Sequence, residues 1–136
     1  MAASLLAVIV DCEEPGSLAA FWAVALKYSV AKRNPGEYEA SDPAGVGAPL
    51  YFMQVPEPRV GKNRLHIDLV TEESLDGEVA RLVSAGATFV QTRQDPVTHE
   101  NPDRWTVLLD PEGNVFCVTS VATLTGWSTP VRSATQ

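Results

Sequence analysis

Apolar positions follow one order of rhythms along the chain, and that order occurs twice. Residues 5–10 form an unbroken apolar run containing Val8, Ile9 and Val10, the pattern of a buried strand. An acidic turn follows over 11–16. Glu13 and Glu14 before Pro15 mark a helix start, where negative charge meets the positive end of the helix dipole. From there Leu18, Phe21, Trp22, Ala25 and Leu26 recur at the spacing of one helical face. The pattern turns back to a strand that ends at Val30. Turns rich in glycine and proline, at 34–36 and 41–49, flank a short strand at 37–40, and 50–55 is the next strand.

The second half repeats this. Over 64–70, Leu65, Ile67 and Leu69 alternate with Arg64, His66 and Asp68, as in a half-buried strand. A helix from about 74 to 85 puts Leu75, Val79, Leu82 and Val83 on one side, with Gly86 as its stop. Strands are predicted at 89–91, 105–109 and 115–119. The last two are joined by a tight turn of Asp110, Pro111, Glu112, Gly113 and Asn114. A polar loop spans 95–103, with His99 and Glu100 between two prolines. The chain thus reads as one domain over 1–120, built from modules at about 5–58 and 64–120 with 56–63 between them, and a tail at 121–136 that has no clear period. Two copies that each bring half a sheet are expected to build one pocket between them.

Composition narrows the classes of partner. At 136 residues and 45% hydrophobic, the chain has enough length for a single core. Its net charge of −7 and the absence of any basic run longer than Lys32 and Arg33 argue against a nucleic-acid partner, which needs clustered cations. The N-terminal apolar run is short, lacks a positive region before it and meets Asp11 at once, so it is expected to be a strand and not an export signal. No stretch is long enough to span a bilayer, and no membrane partner is expected. Two cysteines without an export signal suit a reducing cytoplasm.

Three blocks carry a resemblance. Asp11, Cys12, Pro15, Leu18, Ala19, Phe21 and Trp22 form the first. The second runs through Val55, Pro56, Glu57 and Pro58 to Lys62, Asn63, Arg64, Leu65, His66, Ile67, Asp68 and Leu69. The third is Leu109 to Asn114 with Phe116 and Cys117. In this order and over roughly 5–120, they resemble glyoxalase-like and bleomycin-resistance-type proteins of the vicinal oxygen chelate superfamily. The resemblance implies an α+β fold of two βαβββ modules whose curved mixed sheets form a cup around a small ligand. It also implies a homodimer, since such proteins often pair modules across two chains.

In the metal-dependent enzymes of that superfamily, a divalent metal held on facing strands chelates two neighbouring oxygens of the substrate and acts as a Lewis acid. Measured against that ligand set, His66 matches one position, Ala7 stands at another with no donor atom, and Cys117 stands where many family enzymes carry a glutamate. The first module's last strand offers Phe52 or Gln54, depending on register. With one usual ligand kept, no cofactor is expected. A softer divalent metal on His66, Cys117 and Asp68 is the exception to weigh.

The first functional expectation is a metal-independent pocket for a small organic molecule, lined by Phe52, Gln54, His66, Asp68, Trp105 and Cys117. The alternative is a lyase, isomerase or dioxygenase-like enzyme using His66 as metal ligand or general base. Each residue also has a plain reading: His66 as a hydrogen-bonded interior histidine, Asp68 as a turn cap, Trp105 as packing, and Cys117 as a small core residue.

Overall fold

The computed structural model describes residues 1–94 and 104–121. The predicted loop over 95–103 and the tail beyond 121 lie outside the described residues. The first module is β1 (Val8–Cys12), α1 (Pro15–Leu26), β2 (Ser29–Asn34), β3 (Glu37–Ser41) and β4 (Leu50–Gln54). The second is β5 (Ile67–Thr71), α2 (Leu75–Ala85), β6 (Thr88–Gln94), β7 (Arg104–Leu109) and β8 (Val115–Ser120). Each forms a four-stranded sheet, in the orders β1-β4-β3-β2 and β5-β8-β7-β6. In both, the first strand pairs parallel with the last and the other pairings are antiparallel. The duplication read from the sequence is therefore a duplication of topology, and the fold is α+β with two βαβββ modules.

Both helices arise as their patterns predict. Leu18, Phe21, Trp22 and Ala25 are buried along α1. Ser74 caps α2, its hydroxyl accepting from the Gly77 amide, and Gly86 ends that helix at a φ of 125°, which favours glycine. Val83, predicted on the apolar stripe of α2, is instead exposed. The core joins Leu18, Phe21 and Trp22 of α1 to Phe52 of β4 and to Leu108, Phe116 and Val118 of the second sheet. Phe21, Trp22 and Phe116 meet edge to face at 5.0–5.9 Å between ring centroids, the favoured arrangement for aromatic quadrupoles.

The second module also holds α1 along its length. No side chain of the first module caps its N-terminus: Glu14 occupies the cap position without a side-chain bond. The Glu112 carboxylate, from the β7–β8 turn, accepts from the Glu13 and Glu14 amides at 2.8 and 3.0 Å. At the other end, the Arg81 guanidinium of α2 donates to the Val24 and Ala25 carbonyls, both at 2.9 Å. An anion at the N-terminus and a cation at the C-terminus both complement the helix dipole. Between them, the Trp22 indole N–H donates to the buried Asp110 carboxylate at 3.2 Å. That carboxylate also accepts from the Glu112 and Asn114 amides and from the Asn114 side chain, so the turn and the helix share one acceptor.

One strand differs from its pattern. Alternation predicted a strand from residue 64, but β5 begins at Ile67, and Leu65 is 73% exposed. The Asn63 amide explains this. Its oxygen accepts from the Val115 N–H at 2.7 Å and its nitrogen donates to the Val115 carbonyl at 3.0 Å. A side chain thus supplies the rung that residue 66 would otherwise make, and the intervening backbone leaves the sheet.

Asp110→Ala is expected to lower unfolding free energy by about 3 kcal/mol, because several buried donors lose one acceptor together. Trp22→Phe should cost about 1 kcal/mol or more. The double variant should lose less than the sum, because the two residues share a bond. Urea unfolding of the four proteins measures each term; strict additivity would mean that the Trp22–Asp110 contact contributes nothing.

Candidate functional site

Sheet register sorts every side chain onto one of two faces, since paired residues share a face and successive residues alternate. In the second sheet, Phe116, Val118, Leu108 and Thr106 are buried against the helices, with Ile67 and Leu69 packed beside them. The opposite face is built in rows. One row runs Val70, Thr119, Trp105, Arg93 across β5, β8, β7 and β6; the next runs Asp68, Cys117, Val107, Gln91. His66 immediately precedes β5, two residues from Asp68, and is exposed. Trp105, Val107, Cys117 and Thr119 are half-buried, whereas Asp68, Gln91 and Arg93 are exposed. The face is a floor, apolar in the middle and polar at both ends.

Three of the six predicted site residues, Asp68, Trp105 and Cys117, therefore share this face of the sheet, and His66 stands just outside it, before β5. Phe52 and Gln54 do not share it. Phe52 is fully buried in the core, and Gln54 pairs in register with buried Cys12 on that same face. Its side-chain amide donates to the Glu13 carbonyl at the start of α1. Register corrects the prediction by one residue: Tyr51 and Met53 occupy the open face of the first sheet, beside Ile9, Asp11, Glu37 and Glu39. There the Tyr51 hydroxyl donates to Glu37 at 2.9 Å, and Arg33 pairs with Glu39. Hydrogen bonds from Asn34 and Tyr51 hold the Glu37 carboxyl below its ordinary range.

The two thiols have different surroundings. Cys12 is buried, and its Sγ lies 3.6 Å from the Met53 carbonyl, to which it donates. Burial, followed by the carboxylates of Glu112, Asp11, Asp110 and Glu14, pushes it up to about 12. Cys117 is no core residue, as its plain reading had it; it is half-buried on the open face. Burial first, and the Asp68 carboxylate second, raise its pKa, while Lys62 and Arg93 pull it down. Lys62, Asp68 and Arg93 thus act electrostatically on one sulfur. Neither thiol is an activated nucleophile, which would need a lowered pKa.

Among the described residues, no group of three or more His, Cys, Asp or Glu side chains is placed to hold a metal ion. The donors on this face do not fit a divalent metal: three protein ligands are the usual minimum. A hollow of about 240 Å³ lies elsewhere, at the seam between β1 and the segment before β5, lined by Val8, Val10, Trp22, Leu65, Ile67 and Phe116 among others. Of its polar groups, Asp110 is engaged by Trp22 and the turn, and Asn63 by Val115, while Asp11 and Arg64 also line it. It is smaller than the usual ligand pocket, roughly 300–1,000 Å³. We assign it to packing and place the candidate site on the open face. Arg93, Gln91 and Lys62 were missed by sequence reasoning. The only signal for the first two was strand periodicity in β6, which a bulge between Phe89 and Gln91 shifts.

Comparison with known proteins agrees with this architecture. A family model described as a glyoxalase-like domain matches residues 7–119. No curated protein matches the sequence. Among solved structures, a glyoxalase/bleomycin resistance protein/dioxygenase family enzyme from Burkholderia phytofirmans PsJN is 23% identical, with a TM-score of 0.67 over 88% of this chain and 99% of that one. A point mutant of the genomically encoded fosfomycin resistance protein FosX from Listeria monocytogenes, complexed with Mn(II) and dihydroxypropylphosphonic acid, is 15% identical, with a TM-score of 0.68 over 88% and 90%. A glyoxalase/bleomycin resistance protein/dioxygenase from Nocardioides is 16% identical, with a TM-score of 0.64 over 93% and 87%. At these identities the likeness is one of fold.

Iodoacetamide should alkylate Cys117 in the folded protein and spare Cys12 until the chain is unfolded. The thiolate is the reactive form, so a raised pKa makes Cys117 slow at neutral pH, with a rate still climbing above its ordinary value of 9.0. Asp68→Asn should move that profile to lower pH. Peptide mass spectrometry across a pH series reads both effects; equal labelling of the two cysteines in native protein would contradict the burial of β1.

Proposed function

The chain belongs to the glyoxalase-like domain family, and from that premise we propose that it binds a small organic molecule on the open face of the second sheet, without a divalent metal. One observation carries the reading. The helix-covered face of this sheet is built of packing residues, whereas the opposite face brings together an aromatic ring, a thiol, a carboxylate and an arginine within a few strand spacings. Trp105 and Val107 offer flat apolar contact, and Asp68 and Arg93 offer orientation. That combination of apolar floor and few polar groups is how small-molecule sites are usually made.

The metal-free reading follows from the donor set. His66 and Cys117 remain, Ala7 has no donor, and Asp68 interacts with the Cys117 thiol. With no ion to polarise a substrate, recognition falls to hydrogen bonds and stacking.

A second copy of the chain is the natural cover. Both sheets leave one face open, and Ile9 on β1 and Val70 on β5 are 53% and 45% exposed on edge strands. The open face of the first sheet carries Asp11, Glu37 and Glu39 against one cation, Arg33, and Lys62 and Arg93 act on that of the second against one carboxylate, Asp68, so the two lean to opposite charge. Two free thiols suit a reducing, cytoplasmic setting. Among the described residues, no helix is long and apolar enough to cross a membrane.

A second reading, an enzyme that uses His66 as base, rests on His66 standing exposed just before β5, two residues from Asp68. A carboxylate near an imidazole can fix its tautomer and orientation.

Protein purified without chelator or metal affinity should contain far less than one equivalent of zinc, nickel, iron or manganese, and His66→Ala should not change that content. Near-stoichiometric metal lost in the variant would overturn the metal-free reading. Light scattering should give a mass twice the 14.6 kDa of one chain; a monomer would remove the second copy from the site.

A further inference from the structure

The order of side chains across the open face points to the chemical class of the ligand. This step rests on the reading of that face as the binding surface. Arg93 stands at the β6 end, paired in register with Trp105 on β7. With the Gln91 amide turned so that its oxygen faces the guanidinium, that oxygen accepts from Arg93 Nε at 3.1 Å and from Nη2 at 3.0 Å. One side of the planar fork is thereby fixed by a neutral group, and its outer edge, Nη1 with Nη2, is left to bind something else. The arginines that pair with carboxylates among the described residues are Arg33, Arg81 and Arg104, and Arg93 is not one of them. A guanidinium oriented by an amide and, among the described residues, without a carboxylate partner is suited to a carboxylate, which it meets in bidentate geometry.

The other end of the face has the opposite character. Asp68 lies on β5, three strands from Arg93 and in the neighbouring row, so the two are about 14 Å apart across the strands alone at a spacing of about 4.8 Å. It is an acceptor, and His66 stands two residues before it. Between the two ends lie Trp105, Val107, Cys117 and Thr119, all half-buried. Trp105 offers a surface for stacking, which favours a flat partner.

We infer that the ligand is a planar aromatic carboxylic acid: its carboxylate on the outer edge of Arg93, its ring on Trp105 and Val107, and a hydroxyl or amino donor directed toward Asp68. Lys62 adds positive potential over the same floor, since both it and Arg93 act on Cys117. Gln91 is the positioning residue that sets the guanidinium, and Arg93 selects for the anion.

The test uses the full chain and a panel of para-hydroxy- and para-aminobenzoic acids, each with its neutral carboxamide, titrated by calorimetry or ligand-observed NMR. The acids should bind about tenfold or more tightly than the amides, as expected for a charge-assisted pair. Arg93→Gln should abolish that preference, acid and amide then binding alike, with thermal melting as the check on folding. Gln91→Ala should weaken the preference for the acid without removing it. If amides bind in a manner lost on Trp105→Ala, yet acid and amide are equal, the anion assignment fails and the binding face stands. If the preference for acid survives Arg93→Gln, the assignment to Arg93 fails. If no member of either series binds, the binding-face reading falls and this inference falls with it.

Discussion

The arrangement depends on how α1 is held. This helix belongs to the first module by sequence, yet the groups that satisfy its ends and its buried indole come from the second. Glu112 takes the amides at its start, Arg81 takes carbonyls at its finish, and Asp110 takes Trp22 between them. A helix end without partners leaves backbone groups unsatisfied, and a buried indole N–H without an acceptor carries a desolvation penalty of about 1–3 kcal/mol. The first module cannot reach this state without the second in place. The two modules are therefore one cooperative unit, and the direction in which each sheet turns its open face is fixed by the same contacts.

That coupling determines where chemistry can lie. Each sheet has one face committed to helices, so any polar or reactive side chain that is to meet a ligand must sit on the other. The seam between the modules has a hollow, but it is small and largely apolar, and two of its polar residues, Asp110 and Asn63, are committed to holding the fold. The open face of the second sheet differs because its polar groups look outward. Even its thiol remains a protonated, polarisable contact at neutral pH, since burial and Asp68 both oppose ionisation.

Much of this was legible in the sequence. Apolar periodicity located both helices, the Gly86 stop and the repeated order of strands, because each of these follows from local spacing. Family resemblance singled out His66 and Cys117; the structure puts Cys117 on the open face and leaves His66 exposed just before β5. What failed was parity and partnership. Phe52 and Gln54 stand one residue away from Tyr51 and Met53, and nothing local distinguishes the two registers of a short strand rich in large side chains. Only pairing with Val10 and Cys12 decides it. Likewise, Asp110 to Asn114 reads as a turn and is one, but its role in holding α1 depends on residues some ninety positions away. Asn63 delays the start of β5 by substituting a side-chain amide for backbone, an exchange that periodicity does not register.

The thiol at position 117 also bears on the charge of the site. A carboxylate there would stand directly across from Asp68, which is its register partner. Two like charges at that separation would repel each other, unless a cation lay between them, and would oppose any anionic ligand. A metal ion removes the difficulty where a full ligand set exists to hold it; among the described residues no three His, Cys, Asp or Glu side chains are grouped to do so. A neutral thiol removes it differently, by leaving Asp68 as the single carboxylate of its row and letting Lys62 and Arg93 dominate the field over the floor of the sheet. On the proposed reading, the neutral thiol leaves the face open to anions. The missing donor at Ala7 and the thiol at Cys117 then go together with a face that would bind by charge and stacking.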